Sequence, residues 1–307
     1  MAGSRHRAAY LDTFERGLFP GRIAEAFALL EKCTVCPRKC GVDRTKGERG
    51  FCRAGGLPEI SSFGPHFGEE RPLVGRNGSG TIFMTHCNLG CVFCQNYSIS
   101  RLGEGYEISF EEFSRVMVEL QRKGCHNINF VSPSHFVPHI LKALPRAVEM
   151  GLTVPLVYNT GGYDSVEALK LLDGIFDIYM PDFKYVREDV AEVYSQAPDY
   201  PQAVMAALEE MHRQTGDLTL DDRGIAVRGL LVRHLVLPED LAGTREAMRF
   251  LATRISPNTY VNIMAQYYPC GDRIPPGSPL ARRITRQEFT DAIRMAREEG
   301  ITRIDRE

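Results

Sequence analysis

The sequence is short of any excess of charge: 37 Lys and Arg stand against 39 Asp and Glu, a formal net charge of -2. Such a balance provides no global field to draw in nucleic acid or an anionic membrane, so a nucleic-acid partner is not expected. Also missing is any run approaching the roughly 20 apolar residues that cross a bilayer. The opening stretch MAGSRHRAAYLDTFERG lacks the unbroken apolar core of a secretory signal. From both absences the expectation is a cytoplasmic protein with no membrane partner. Solenoid repeats and low-complexity tracts are absent as well. What is present is ordinary for a globular enzyme: 307 residues, 43% apolar and 25% charged, enough to bury a large core.

Nine cysteines are present, and in a reducing compartment they are not expected to pair as disulfides. Seven fall between residues 33 and 94, in two clusters, which points to metal binding or catalysis. The later cluster, THCNLGCVFCQNYSIS, holds Cys87, Cys91 and Cys94 within eight positions, and no fourth cysteine follows nearby. Thiolates suit iron–sulfur clusters, zinc or copper(I), and three of them on a tight loop can hold three corners of a cubane. A corner left open is where chemistry is done, so a small molecule is expected in the fourth place. A zinc knuckle or an inert loop is the weaker alternative, because the loop follows a strand. The earlier cluster, Cys33-x2-Cys36-x3-Cys40-x11-Cys52, is a closed set of four. Four thiolates can fold a core-poor segment around a metal, and zinc and a second iron–sulfur cluster are both compatible with the spacing.

From residue 80 onward, short runs rich in Val, Ile and Tyr alternate with helical patterns, the mark of βα units building a parallel sheet. Six strands are predicted: GTIFMT (80–85), NINFVS (127–132), PLVYN (155–159), DIYMPDFK (177–184), GLLVRHLVLP (229–238) and YVNIMAQYY (260–268). SFEEFSRVMVELQRKG has Ser109 and Glu112 at capping-box spacing and a helical apolar stripe that stops at Gly124. SVEALKLLDG and TREAMRFLATRI read as helices too, and RQEFTDAIRMAREEG as a final one. Six units are too few for a closed eightfold barrel. The predicted fold class is therefore α/β, an open partial (β/α)6 barrel over residues 76–307 working at the carboxyl ends of its strands. A cysteine-rich N-terminal extension, residues 1–75, precedes it, with a helix only around 20–31 and little core of its own.

The spacing Cys87-x3-Cys91-x2-Cys94, with Phe93 before the last cysteine and a strand leading into the loop, resembles the motif of the radical S-adenosylmethionine (SAM) superfamily. The blocks CNLGCVFCQNYSIS, NINFVSPSHF, VYNTGGYDS, DIYMPDFKY, RGLLVRHLVLP and NIMAQYYP resemble those of pyruvate formate-lyase activating enzyme homologues, across about residues 33 to 270. The resemblance implies a 4Fe–4S cluster whose open iron is chelated by SAM. Reductive cleavage then releases a 5′-deoxyadenosyl radical that abstracts hydrogen. It also implies an electron donor such as flavodoxin or ferredoxin, and a glycyl radical enzyme as a candidate partner. Two other readings stay open: radical modification of a small molecule, peptide or RNA, and a non-catalytic iron–sulfur or electron-transfer module.

Carried over position by position, the resemblance places Phe93 near the adenine. The second strand has VSPSHF where the superfamily has a Gly-Gly-Glu-Pro type turn, so Ser132 and Ser134 become the candidates there for binding the methionine amino group. PDFK resembles the Asp-x-Lys of the activating enzymes. Asp182 and Lys184 alternate by two and share one strand face, where a zwitterionic methionine group would match charges costly to bury alone. Arg233 follows an apolar run and can offer planar donors to ribose or carboxylate, or form a structural salt bridge. Asn159 offers donor and acceptor together. His86, His135 and His234 read as satisfied core or rim residues, and Cys125 and Cys270 as packed free thiols.

Overall fold

The structure, a computed structural model, describes residues 6–270 and 273–305. Residues 1–5 of the N-terminal segment, and 271–272 and 306–307 of the barrel segment, lie outside the described residues. Ten strands form: β1 (Glu59–His66), β2 (Ser79–Met84), β3 (Tyr106–Glu107), β4 (Ile128–Val131), β5 (Leu156–Thr160), β6 (Ile178–Pro181), β7 (Thr219–Leu220), β8 (Ala226–Leu235), β9 (Tyr260–Met264) and β10 (Arg303–Ile304). Six of them, β2, β4, β5, β6, β8 and β9, pair in parallel in that order and overlap the six predicted strands, with β8 lying earlier than 229–238 and β9 ending at Met264 instead of 268. The sheet is open, with β3 at one end and β10 at the other, so the α/β partial barrel stands. β6 is shorter than predicted. It stops at Pro181, and Asp182 and Lys184 lie beyond it.

The N-terminal segment is built differently from its prediction. Three helices, α1 (Ala9–Glu15), α2 (Phe19–Glu31) and α3 (Arg71–Val74), and the eight-residue β1 stand where one helix was expected. β1 pairs antiparallel with β2, so the sheet continues across the expected boundary at residue 76. The segment also shares the main core: Ala8, Tyr10, Phe19 and Ala26 are buried in it. Phe19, Ile23, Ala26 and Leu30 recur at helical spacing, which lays one side of α2 against the barrel's helices. At the amino ends of the strands, Asp177 accepts from the backbone of Ala9 and of Leu156, pinning α1 beneath β5.

Parallel neighbours need crossovers. After the short α4 (Tyr97–Ser100), α5 (Phe110–Arg122) joins β2 to β4, and α6 (Val137–Glu149) joins β4 to β5. α7 (Val166–Lys170), then α8 (Glu188–Ser195) with α9 (Tyr200–Thr215), then α10 (Thr244–Phe250) serve the next three strands of the parallel set, and α11 (Arg286–Glu298) leads from β9 to β10. The predicted capping box of α5 is formed: Ser109 and Glu112 bond each other's backbone. Alternation sorts the strand residues. Tyr158, Tyr179 and Phe130 pack outward around Phe176. Val157, Ile178, Met180 and Leu231 point the other way and close the barrel floor with Leu73 of α3. On that same inward parity, at the carboxyl ends, come Val131, Asn159, Asp182, Arg233 and Met264. No described helix is long and apolar enough to cross a membrane.

Candidate functional site

β2 delivers the chain to the carboxyl end of the barrel, where residues 85–96 turn back over its mouth. His86 and Gly90 make that turn with φ of 64° and 79°. A side chain at Gly90 would meet Arg101 at 2.6 Å and Phe51 at 3.0 Å, so a glycine is required there for the loop to lie flat. Cys87, Cys91 and Cys94 face one cavity of about 230 Å³. Each sulfur has one hydrogen-bonding neighbour: the Leu89 backbone N–H donates to Cys87 at 3.4 Å, the Ser195 hydroxyl donates to Cys91 at 3.2 Å, and the Ser100 hydroxyl lies 3.1 Å from Cys94. Burial pushes all three thiols above their ordinary value, and Lys184 draws each back down. Among the described residues no three Cys, His, Asp or Glu side chains converge on the position of a single ion. A cubane asks for no such convergence, because each thiolate binds its own iron. Three soft, half-buried, hydrogen-bonded sulfurs on one cavity wall fit a cluster with an open corner.

Opposite the loop stands a polar ring. Asp182 accepts from Lys184 Nζ at 2.6 Å and from Arg233 Nε at 2.7 Å, and Arg233 Nη2 donates to Asn159 Oδ1 at 2.7 Å. These charged side chains are 12%, 16% and 17% exposed for Asp182, Lys184 and Arg233. Burial works against each charge, yet the mutual attraction wins: the Asp182 carboxyl is held below its ordinary value, and the Lys184 ammonium above. The charges expected to wait for a ligand therefore already match one another. Asp182 reaches Arg233 through a single parallel bridge rather than as part of β6. All of Phe93, Ser132, Asn159, Asp182, Lys184 and Arg233 line the same cavity as the three cysteines. Phe93 is wedged edge-on between Tyr185 and Tyr267, with ring centroids 6.3 and 5.7 Å away. Ser134 instead lies against Thr160 Oγ1 at 3.0 Å, away from the cavity.

Residues 81–221 match the family model of the Radical SAM superfamily. Over 293 residues the chain is 29% identical to an uncharacterized protein of Methanocaldococcus jannaschii, covering 93% of this chain and 80% of that one. It also superposes on a radical SAM methyltransferase from Sphaerobacter thermophilus with a TM-score of 0.49 and 16% identity, over 75% of this chain and 67% of that one.

The loop of Cys87, Cys91 and Cys94 has the earlier cysteines behind it. Cys33, Cys36 and Cys52 are buried and Cys40 is half-buried. The Cys33 N–H donates to Val42 O and the Gly41 N–H to Cys33 O, folding residues 33–42 back on themselves. Gly50 lets Cys40 approach, since a side chain at 50 would stand 2.8 Å from its Sγ. Burial, then the neighbouring Cys52, pushes the Cys36 thiol up to about 12. Among the described residues no three of these sulfurs converge on the position of a single ion.

The lone histidines are core residues, as predicted. His86 contacts Glu59 at 2.9 Å, His135 the Thr85 carbonyl at 2.9 Å, and His234 both Phe183 O and Thr244 Oγ1. Cys125 is buried, and the Cys270 thiol donates to Phe93 O at 3.1 Å. Several contacts at this site escaped the sequence reading. Glu69 lies beside Asn159 (3.4 Å) and Arg233 (3.7 Å), its carboxyl raised by burial against the pull of Arg233. Arg38 and Ser195 touch the loop directly. A Gly-Glu-Glu run and a lone Arg between two cysteines were the available signals, and neither says which distant residue it meets.

The turn after β5 is the site's tightest backbone point. Gly162 has φ of 81°, and a Cβ there would sit 2.3 Å from Asp182 O. Gly162→Ala is expected to destabilise the fold by more than about 1 kcal/mol, read as a lowered urea midpoint. An unchanged midpoint would show that the Asp182 segment yields.

Proposed function

We propose that this protein is a radical SAM enzyme that cleaves S-adenosylmethionine reductively and takes a hydrogen atom from its substrate. The observation that carries this reading is the single cavity at the strand ends, with three hydrogen-bonded sulfurs on one wall and the Asp182–Lys184–Arg233–Asn159 ring on the other. A bound 4Fe–4S cluster with an open corner supplies one electron to the sulfonium and, with SAM, a hydrogen-abstracting radical. Cys87, Cys91 and Cys94 hold three irons. Lys184 and Asp182 present opposite charges to a methionine group carrying both, while Asp182 and Asn159 keep the Arg233 guanidinium in one plane. Phe93, Leu235 and Met264 supply apolar wall that excludes water. Cys33, Cys36, Cys40 and Cys52 form a second metal site, for zinc or a second iron–sulfur cluster. An electron donor of the flavodoxin or ferredoxin class serves the loop cluster. The resemblance of the strand blocks to activating enzymes points to a glycine of a partner enzyme as one hydrogen source, and a small molecule, peptide or RNA stands beside it as the other.

The test is 5′-deoxyadenosine formation by anaerobically reconstituted, dithionite-reduced protein given SAM. Product is expected, and a protein that binds cluster and SAM yet forms none is an electron-transfer module. Incubation with lysate fractions and labelled SAM then shows which fraction stimulates turnover and whether the affected molecule is a protein.

A further inference from the structure

Arg38 sits in the Cys-Pro-Arg-Lys-Cys run, between Cys36 and Cys40, yet its bonds are made to the other cysteine set. Its Nε donates to Asn88 O at 2.9 Å and its Nη2 to Leu89 O at 2.7 Å. Both carbonyls lie between Cys87 and Cys91. Nη2 also donates to Ser195 O at 2.9 Å, and Nη1 donates to Gln196 O, at the end of α8. Four of the five N–H groups of a guanidinium are thus spent on backbone carbonyls of two segments. The flat face of the guanidinium lies 3.8 Å from the centre of the Phe51 ring, next to Cys52, so the N-terminal cysteine segment holds Arg38 from behind. One of the two clamped segments carries Ser195, whose hydroxyl donates to Cys91 Sγ at 3.2 Å.

We propose that Arg38 is a positioning residue for the loop cluster, so that the folded N-terminal cysteine segment sets the reduction potential at Cys87, Cys91 and Cys94. The proposal rests on the radical SAM reading of those three cysteines. Hydrogen bonds to cluster sulfurs are among the determinants of potential, because they stabilise the more negative, reduced state. Arg38 fixes the distance between loop and α8, and with it the Ser195 bond to Cys91. A lysine keeps the charge but has neither the planar fork nor enough donors to span both segments. The two cysteine sets, read from sequence as separable, are mechanically joined through this side chain.

The test compares parent protein with Arg38→Gln, Arg38→Lys and Ser195→Ala, each reconstituted anaerobically and titrated for the midpoint potential of the loop cluster. All three variants are expected to carry the parent iron content and a more negative midpoint. For the two Arg38 variants, 5′-deoxyadenosine formation should fall about 10- to 100-fold, the usual cost of losing a partner that orients metal ligands. Arg38→Gln with the parent potential and rate overturns the proposal. Arg38→Lys restoring both also overturns it, since charge alone would then suffice. Should the Arg38 variants not fold, Ser195→Ala decides: a parent midpoint there removes the link to potential. The potential is read without SAM. A parent protein that holds its cluster but makes no 5′-deoxyadenosine therefore refutes the proposed function and leaves this proposal to its own measurement.

Discussion

Replacing Cys87, Cys91 and Cys94 together by Ala is expected to abolish 5′-deoxyadenosine formation completely. The three sulfurs are the only cysteine sulfurs lining the cavity, and a cubane held at fewer than three corners loses its place beside the polar ring. Metal bound by Cys33, Cys36, Cys40 and Cys52 should remain, because Arg38 receives nothing from the loop sulfurs and the segment's own backbone bonds persist. Iron, sulfide and zinc analysis of the triple variant, beside chromatographic assay of the nucleoside, checks both halves. Residual turnover would remove this loop from the chemistry. Complete loss of metal would mean that the earlier cysteines bind none.

The second large effect concerns Asp182. It is the one carboxylate accepting hydrogen bonds from both Lys184 and Arg233. Asp182→Ala takes from Lys184 the carboxylate it bonds and leaves Arg233 with Glu69 at 3.7 Å, at a cost on the order of 3–5 kcal/mol for a broken buried pair. A loss below about 1 kcal/mol, the range of solvated pairs, would mean that water reaches the ring. Lys184→Met is milder for the fold, since Asp182 keeps Arg233, but it strips the cavity of a cation that can meet a methionine carboxylate. SAM affinity of the anaerobic, cluster-loaded variant should drop about tenfold or more, a difference of 1.4 kcal/mol, in calorimetric titration. Affinity equal to the parent would assign Lys184 to structure alone. The pH dependence carries a definite sign. The Asp182 carboxyl is held below its ordinary value of 3.8, so its stabilisation is complete above that value and disappears as pH falls through the folded value.

Much of the barrel was legible because its signals are local. Each of the six parallel strands is a short Val-, Ile- or Tyr-rich run bounded by a turn, and period-two alternation tells which residues share a face. Ser109 and Glu112 announce a helix start because the capping box closes within one turn. β1 was missed since EISSFGPH alternates weakly and is bounded by glycine and proline, and its strand character comes from pairing with β2. The N-terminal segment looked poor in core because its buried residues, Tyr10 and Phe19 among them, are few and join the core of the barrel, with α1 and α2 packed on α6, rather than forming one of their own.

The sequence by itself determined the chemistry available: three cysteines at a spacing that leaves a corner open, a closed set of four, and charged residues at strand ends. Those facts depend on residue type and on separations of a few positions, where chain geometry leaves little freedom. Only the tertiary structure decided which of these groups act on one another. Asp182 and Arg233 meet across 51 positions, and Arg38 reaches Asn88 across 50 and Gln196 across 158. Such pairings follow from how the sheet curves and where the N-terminal segment lies against the strand ends. Both depend on burying the whole core at once, which no local pattern records.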